Sequence, residues 1–122
     1  MDDAICFEYL YRDRGNYKSH GVLLLLGSSA MYELDDFKKY LNGGEWFIAE
    51  QVGIPVLYEE LWKLSDGPTE DDHSFHEFSR FREAIKSDIE VLEPFCSVHD
   101  FVKRFKKIDN RWDVSFSQSP LP

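Results

Sequence analysis

From Ile5 to Arg12 hydrophobic and polar positions alternate, with Ile5, Phe7, Tyr9 and Tyr11 on one face of an extended chain and Cys6, Glu8, Leu10 and Arg12 on the other. That two-residue period predicts a half-buried strand. After the turn-like Asp13-Arg14-Gly15-Asn16, a second extended run leads to Val22-Leu23-Leu24-Leu25-Leu26, apolar on both faces and closed by Gly27. A run of this kind predicts a central strand, paired with the first.

The period then lengthens. Ser28 or Ser29 is expected to cap a helix with Met31, Leu34, Phe37 and Leu41 as its apolar stripe, stopped by Asn42-Gly43-Gly44. Glu45-Trp46-Phe47-Ile48 is expected as a short strand or ordered loop. Pro55 suits a first helical turn, and Ile54, Leu57, Tyr58, Leu61 and Leu64 recur at helical spacing until Asp66-Gly67-Pro68 ends the run. Between His73 and Arg82, Phe75, Phe78 and Phe81 fit a helix, but the aromatic density and turn signals favour a bulged strand. Ser97 opens the clearest helix, with Val98, Phe101, Val102, Phe105 and Ile108 inside and Lys103, Arg104, Lys106 and Lys107 outside. Trp112, Val114 and Phe116 alternate with polar residues and predict a last edge strand.

The resulting order, β-β-α-(β)-α-β-α-β, predicts an α+β fold: a single small domain over residues 1–116, with a largely antiparallel sheet of about four to five strands packed by three helices. Residues 117–122 have the composition of a flexible C-terminal tail. At 122 residues there is chain for one core. An apolar share of 43% with 16% aromatics carries enough ring surface to offset the entropy of ordering it.

The longest apolar run, Val22 to Leu26, is far short of the roughly 18 residues a membrane span needs. Met1-Asp2-Asp3 is acidic where a secretory signal is basic. Cys6 and Cys96 lie far apart in apolar contexts, as free thiols do in a reducing compartment. A cytoplasmic location is the expectation.

Charge sharpens the picture more than composition does. The formal net charge is -9, which opposes direct nucleic-acid binding because phosphate contacts need a basic footprint. Between Glu45 and Glu77 nine carboxylates (Glu45, Glu50, Glu59, Glu60, Asp66, Glu70, Asp71, Asp72 and Glu77) face the single base Lys63, so this segment alone carries -8.

Asp71-Asp72-His73 with His76 and Glu77 is the most suggestive chemical group, since imidazoles and carboxylates three or four apart can converge on a metal or share acid–base work. On a strand, however, His73 and His76 fall on opposite faces, and the plain reading is an exposed acidic loop. Cys6, Cys96, His20 and His99 are scattered too singly for zinc. Gly43-Gly44 lacks the lysine and hydroxyl of a phosphate loop, no serine sits in a Gly-x-Ser-x-Gly elbow, and Cys96 lacks a neighbouring base. Trp46, Tyr58 and Trp62 flank the acidic segment, as core rings or as anchors for a partner. The stretches Gly44 to Pro55 and Gly67 to His73 resemble segments of small bacterial proteins, a likeness that implies one shared surface for the two loops and no activity.

The leading expectation is therefore a noncatalytic binding protein, an inhibitor, immunity-like or regulatory partner, whose residues 45–77 dock on a basic protein surface. Its candidate contacts are Glu45, Trp46, Glu50, Glu59, Trp62, Glu70, Asp71 and Asp72, with no cofactor and no membrane. The alternative is a small metal-dependent hydrolase or transferase built on Asp72, His73, His76 and Glu77, with Glu50 as a further candidate. A subunit of a larger assembly is a third possibility.

Overall fold

The computed structural model describes residues 3–27 and 34–118. Its elements are β1 (Ala4–Arg12), β2 (Lys18–Leu26), a first 3₁₀ helix (Phe37–Tyr40), β3 (Trp46–Phe47), a second 3₁₀ helix (Ala49–Val52), α1 (Tyr58–Ser65), β4 (His76–Glu83), α2 (Lys86–Val91), β5 (Pro94–Ser97), α3 (Val98–Ile108) and a third 3₁₀ helix (Val114–Phe116). The strands form one sheet in the order β3-β4-β1-β2-β5, antiparallel except for the β2–β5 pair. It is a small mixed α+β domain, as the strand and helix periods predict.

The alternation in β1 sets the two faces. Ile5, Phe7 and Tyr9 enter the core, and Phe7 lies at the centre of an aromatic cluster, its ring 4.7 Å from that of Phe101 and 5.5 Å from that of Phe78. Helix α3 covers this face with Val98, Phe101 and Phe105, all buried. Its start is fixed where the sequence places it, by Ser97 accepting a 3.0 Å hydrogen bond from the Asp100 amide.

The other face is polar along its middle. Glu8 accepts from Arg80 at 2.5 Å and from Arg82 at 2.7 Å, and Arg82 continues to Asp88 of α2 at 2.7 Å. These guanidinium bonds hold the Glu8 and Asp88 carboxyls below their ordinary range. The β1–β4 register shifts between Glu8 and Tyr9, the bulge expected of the aromatic strand.

Elsewhere the elements depart from expectation. Ser28, Ser29 and Met31 lie outside the described residues; Leu34 and Asp35 are helical as predicted, but from Phe37 the backbone tightens into a 3₁₀ turn that gives way to extended backbone at Leu41. Phe37 and Leu41 are nonetheless buried, because a single tight turn suffices to bring both to the sheet. Pro55 precedes α1 by three residues instead of occupying its first turn. Leu64, assigned to the inner stripe of that helix, is 85% exposed.

The segment from Lys86 to Cys96, unassigned from sequence, supplies α2 and, with Ser97, the parallel strand β5. The predicted C-terminal strand is absent from the described residues. Val114–Phe116 is a 3₁₀ turn whose Phe116 is exposed, and Trp112 alone packs inward, its ring against Phe47 and Phe105 and its indole donating to the Tyr40 carbonyl at 2.9 Å. Among the described residues no helix is long and apolar enough to cross a membrane.

Candidate functional site

The acidic segment reaches the surface over a buried polar core. Tyr11, at the end of β1, donates a 2.6 Å hydrogen bond to Asp72 Oδ1. Asp72 Oδ2 accepts from the Trp62 indole at 3.0 Å and from the Thr69 amide at 2.8 Å. With these donors around it Asp72 is only 2% exposed, which satisfies a carboxylate that burial alone would penalise heavily. Asp72 is therefore removed from the proposed contact surface: it clamps the acidic loop to the sheet. Burial, and then the Asp72 carboxylate, push the Tyr11 hydroxyl well above its ordinary range.

The neighbouring histidines are equally committed. His73 Nδ1 accepts from the Phe75 amide at 3.1 Å, which places the ring proton on Nε2, and Nε2 lies 2.6 Å from the Arg12 carbonyl. His76 is fully buried among the rings of Tyr9, Tyr11, Phe47 and Tyr58. Its Nε2 accepts from the Leu57 amide at 2.9 Å, while Nδ1 is buried without a hydrogen-bond partner among the described residues. Burial, with a smaller contribution from His73, lowers its pKa to about 3.

Glu77 turns to Arg12, 3.1 Å away. Asp72, His73, His76 and Glu77 thus direct their polar atoms to different groups, although His73 and Glu77 share Arg12, the one at its carbonyl and the other at its guanidinium. Among the described residues no three His, Cys, Asp or Glu side chains are grouped to hold a metal ion.

Two further candidates also turn inward. Glu50 Oε2 accepts from the Tyr58 hydroxyl and from the Gln118 amide, and its Oε1 is buried without a partner among the described residues. The second 3₁₀ helix turns this side chain toward α1, which is why it does not project as a solvated carboxylate would. Trp62 stacks on Tyr58 at 4.5 Å and spends its N–H on Asp72, bracing the fold from a half-buried position.

What remains exposed is Glu45, Trp46, Glu59, Glu70 and Asp71. Glu70 and Asp71 border a cleft of about 420 Å³ whose other walls include Asp13, Tyr17, Leu61 and Leu64. Leu64 and Tyr17 are 85% and 69% exposed, so apolar surface and carboxylates stand side by side. Trp46, 39% exposed, borders a second groove of about 370 Å³ with Arg12, Asp13, His73 and Phe75. Asp13 lines both, so the two concavities flank one β-turn.

The rim of the cleft is built. The Arg14 amide donates to the Asp71 carbonyl at 2.9 Å, the Asp71 amide to Thr69 Oγ1 at 3.2 Å, and the His73 amide to the Tyr11 hydroxyl at 3.1 Å. The β1–β2 turn and the acidic loop are thereby joined.

Asp13, Tyr17 and Leu64 escaped the sequence reading as contacts. Asp13 and Tyr17 lie far outside the acidic run, and Leu64 falls at a helical spacing that reads as core. The signal available for Leu64 was its place one residue before the helix end, where the stripe runs out past the sheet. Burial pushes the thiols of both Cys6 and Cys96 above their ordinary range. Compared with known proteins, the chain matches no family model, no curated protein and no solved structure.

Proposed function

We propose that this chain is a small acidic, noncatalytic binding protein, acting as an inhibitor, immunity-like or regulatory partner of a basic protein surface. The observation that carries this reading is the cleft in which exposed Leu64 and Tyr17 adjoin Asp13, Glu70 and Asp71. A lysine or arginine side chain is amphipathic in the same sense: its methylene stem lies along Leu64 or the Tyr17 ring while its head meets the carboxylates. The surrounding excess of negative charge steers such a partner in and rejects acidic ones. The bacterial cytoplasm is the setting of this proposal; the two free cysteines support its reducing character alone.

The test is titration of an oligolysine peptide into the wild type, into Glu70→Lys/Asp71→Lys, and into a control of equal charge change, Glu90→Lys/Glu93→Lys on the distant α2 region. Loss of about tenfold or more in affinity, an energy of about 1.4 kcal/mol, is expected for the cleft variant and not for the control. Equal loss in both variants would mean that the peptide reads net charge alone, and the cleft would have no role.

A further inference from the structure

The largest concavity among those described, about 640 Å³, lies between the first 3₁₀ helix and α3 and has the opposite charge. Lys39 comes from the 3₁₀ helix, Lys103, Lys106 and Lys107 come from α3, and Asp36 and His99 complete the walls, over a floor that includes Tyr40 and Val102. Helical spacing explains the arrangement. Val98, Phe101 and Phe105 form the buried stripe, and Val102, Lys103, Lys106 and Lys107 form the next stripe around the helix. Arg104, which the sequence groups with these lysines, instead turns to the Val52 and Gly53 carbonyls at 3.2 and 3.3 Å.

Lys39 is engaged with Asp36 at 3.5 Å. Lys103, Lys106 and Lys107 make no ion pair among the described residues. Three ammonium groups within one helical turn and a half repel one another, in a chain whose net charge of -9 offers carboxylates in abundance. The groove therefore has walls on which four lysines outnumber the single carboxylate of Asp36, an apolar floor and capacity for negative charge from outside.

We infer that this groove receives the exposed acidic rim of a second copy of the chain, so that copies associate head to tail. The rim presents Glu70 and Asp71 beside exposed Leu64 and Tyr17, which matches lysines beside Val102 and Tyr40 in both charge and apolar content. The cleft and the groove share no lining residue, so each copy offers both at once. Such a contact is heterologous and repeats from copy to copy. The inference rests on the reading of the acidic cleft as a docking surface for basic groups, and it adds the partner: another molecule of the same protein, whose association covers the cleft and competes with other basic ligands.

Sedimentation velocity tests it. The wild type is expected to associate at about 0.1 M salt and to be monomeric at about 1 M, where the Debye length falls from about 10 to about 3 Å. Lys103→Glu/Lys107→Glu and Glu70→Lys/Asp71→Lys, all at exposed positions, should each lose at least about tenfold in self-affinity, or about 1.4 kcal/mol. An equimolar mixture of the two should regain it, because opposite charges again face each other.

Net charge alone predicts otherwise, since the second variant is less negative than the wild type and would then associate more strongly. A wild type that stays monomeric at both salt concentrations, or a mixture that does not recover, overturns the head-to-tail contact. If oligolysine still binds the wild-type cleft in that case, the cleft reading stands without self-association; if oligolysine fails as well, both fall.

Discussion

The Tyr11 hydroxyl and Asp72 Oδ1, 61 residues apart in sequence, meet at 2.6 Å, and that bond ties the most acidic loop of the chain to the end of its first strand. A carboxylate with the look of a surface charge is in fact buried beneath the loop.

Removing it is expected to be costly. Asp72→Ala leaves the Tyr11 hydroxyl, the Trp62 indole and the Thr69 amide without their acceptor, and should destabilise the protein by about 3 kcal/mol in urea unfolding. Tyr11→Phe removes one donor and should cost about 1–2 kcal/mol. Glu70→Ala, two positions away and exposed, should stay within about 0.5 kcal/mol of wild type. An Asp72→Ala protein as stable as Glu70→Ala would contradict the clamp.

The structure also predicts acid sensitivity centred on His76. In the unfolded chain its imidazole takes up a proton near about 6.5, whereas in the folded protein burial delays uptake to about 3. Between those values the unfolded state binds the extra proton. The contribution of His76 is therefore intact above the unfolded pKa and is lost as pH falls toward the folded one, with a slope of at most about 1.4 kcal/mol per pH unit. His76→Gln keeps an acceptor for the Leu57 amide but does not titrate, so its stability should fall more gently through this window. Parallel curves for the two proteins would show that His76 contributes no linkage.

A third expectation concerns Gly21 on β2. A Cβ there would lie 2.8 Å from Tyr9 Cε1 and 2.9 Å from Leu57 Cδ2, and the Tyr9 ring cannot retreat freely because its hydroxyl donates to the Pro55 carbonyl at 2.7 Å. Gly21→Ala should cost about 1–3 kcal/mol by overpacking. Tyr9→Phe in the same background frees the ring and should recover part of the loss. A Gly21→Ala protein as stable as wild type would mean that the strands shift to make room.

Much of this fold was legible because its strongest signals are local. The alternation from Ile5 to Tyr11, the apolar run ending at Leu26 and the Ser97 cap each declare themselves within a few residues. What stayed hidden depends on distant partners. Pro94–Ser97 is too short to show a period and becomes a strand only by pairing with β2. Trp112, Val114 and Phe116 alternate as a strand would but pair with neither edge of the sheet, and the Trp112 indole instead bonds the carbonyl of Tyr40, 72 residues away.

The same limit governs the cleft and its loop. Charge density located Glu70 and Asp71, yet the three donors that draw Asp72 inside come from the first strand, from α1 and from its own turn. Trp62 and Glu50 were misplaced for that reason too. A side chain that hydrogen-bonds inward has the same sequence signature as one that does not.

The sheet order carries a consequence for how the molecule comes to be made. β1 lies between β2 and β4, so the strand synthesised first occupies the middle of the finished sheet. Its hairpin with β2 can close early, but its other edge stays open until the aromatic strand β4 has left the ribosome. During that interval Phe7 lacks Phe101 and Phe105 of the helix that later covers it. The charges of Glu8 and Arg12 along that waiting edge disfavour pairing with the wrong strand.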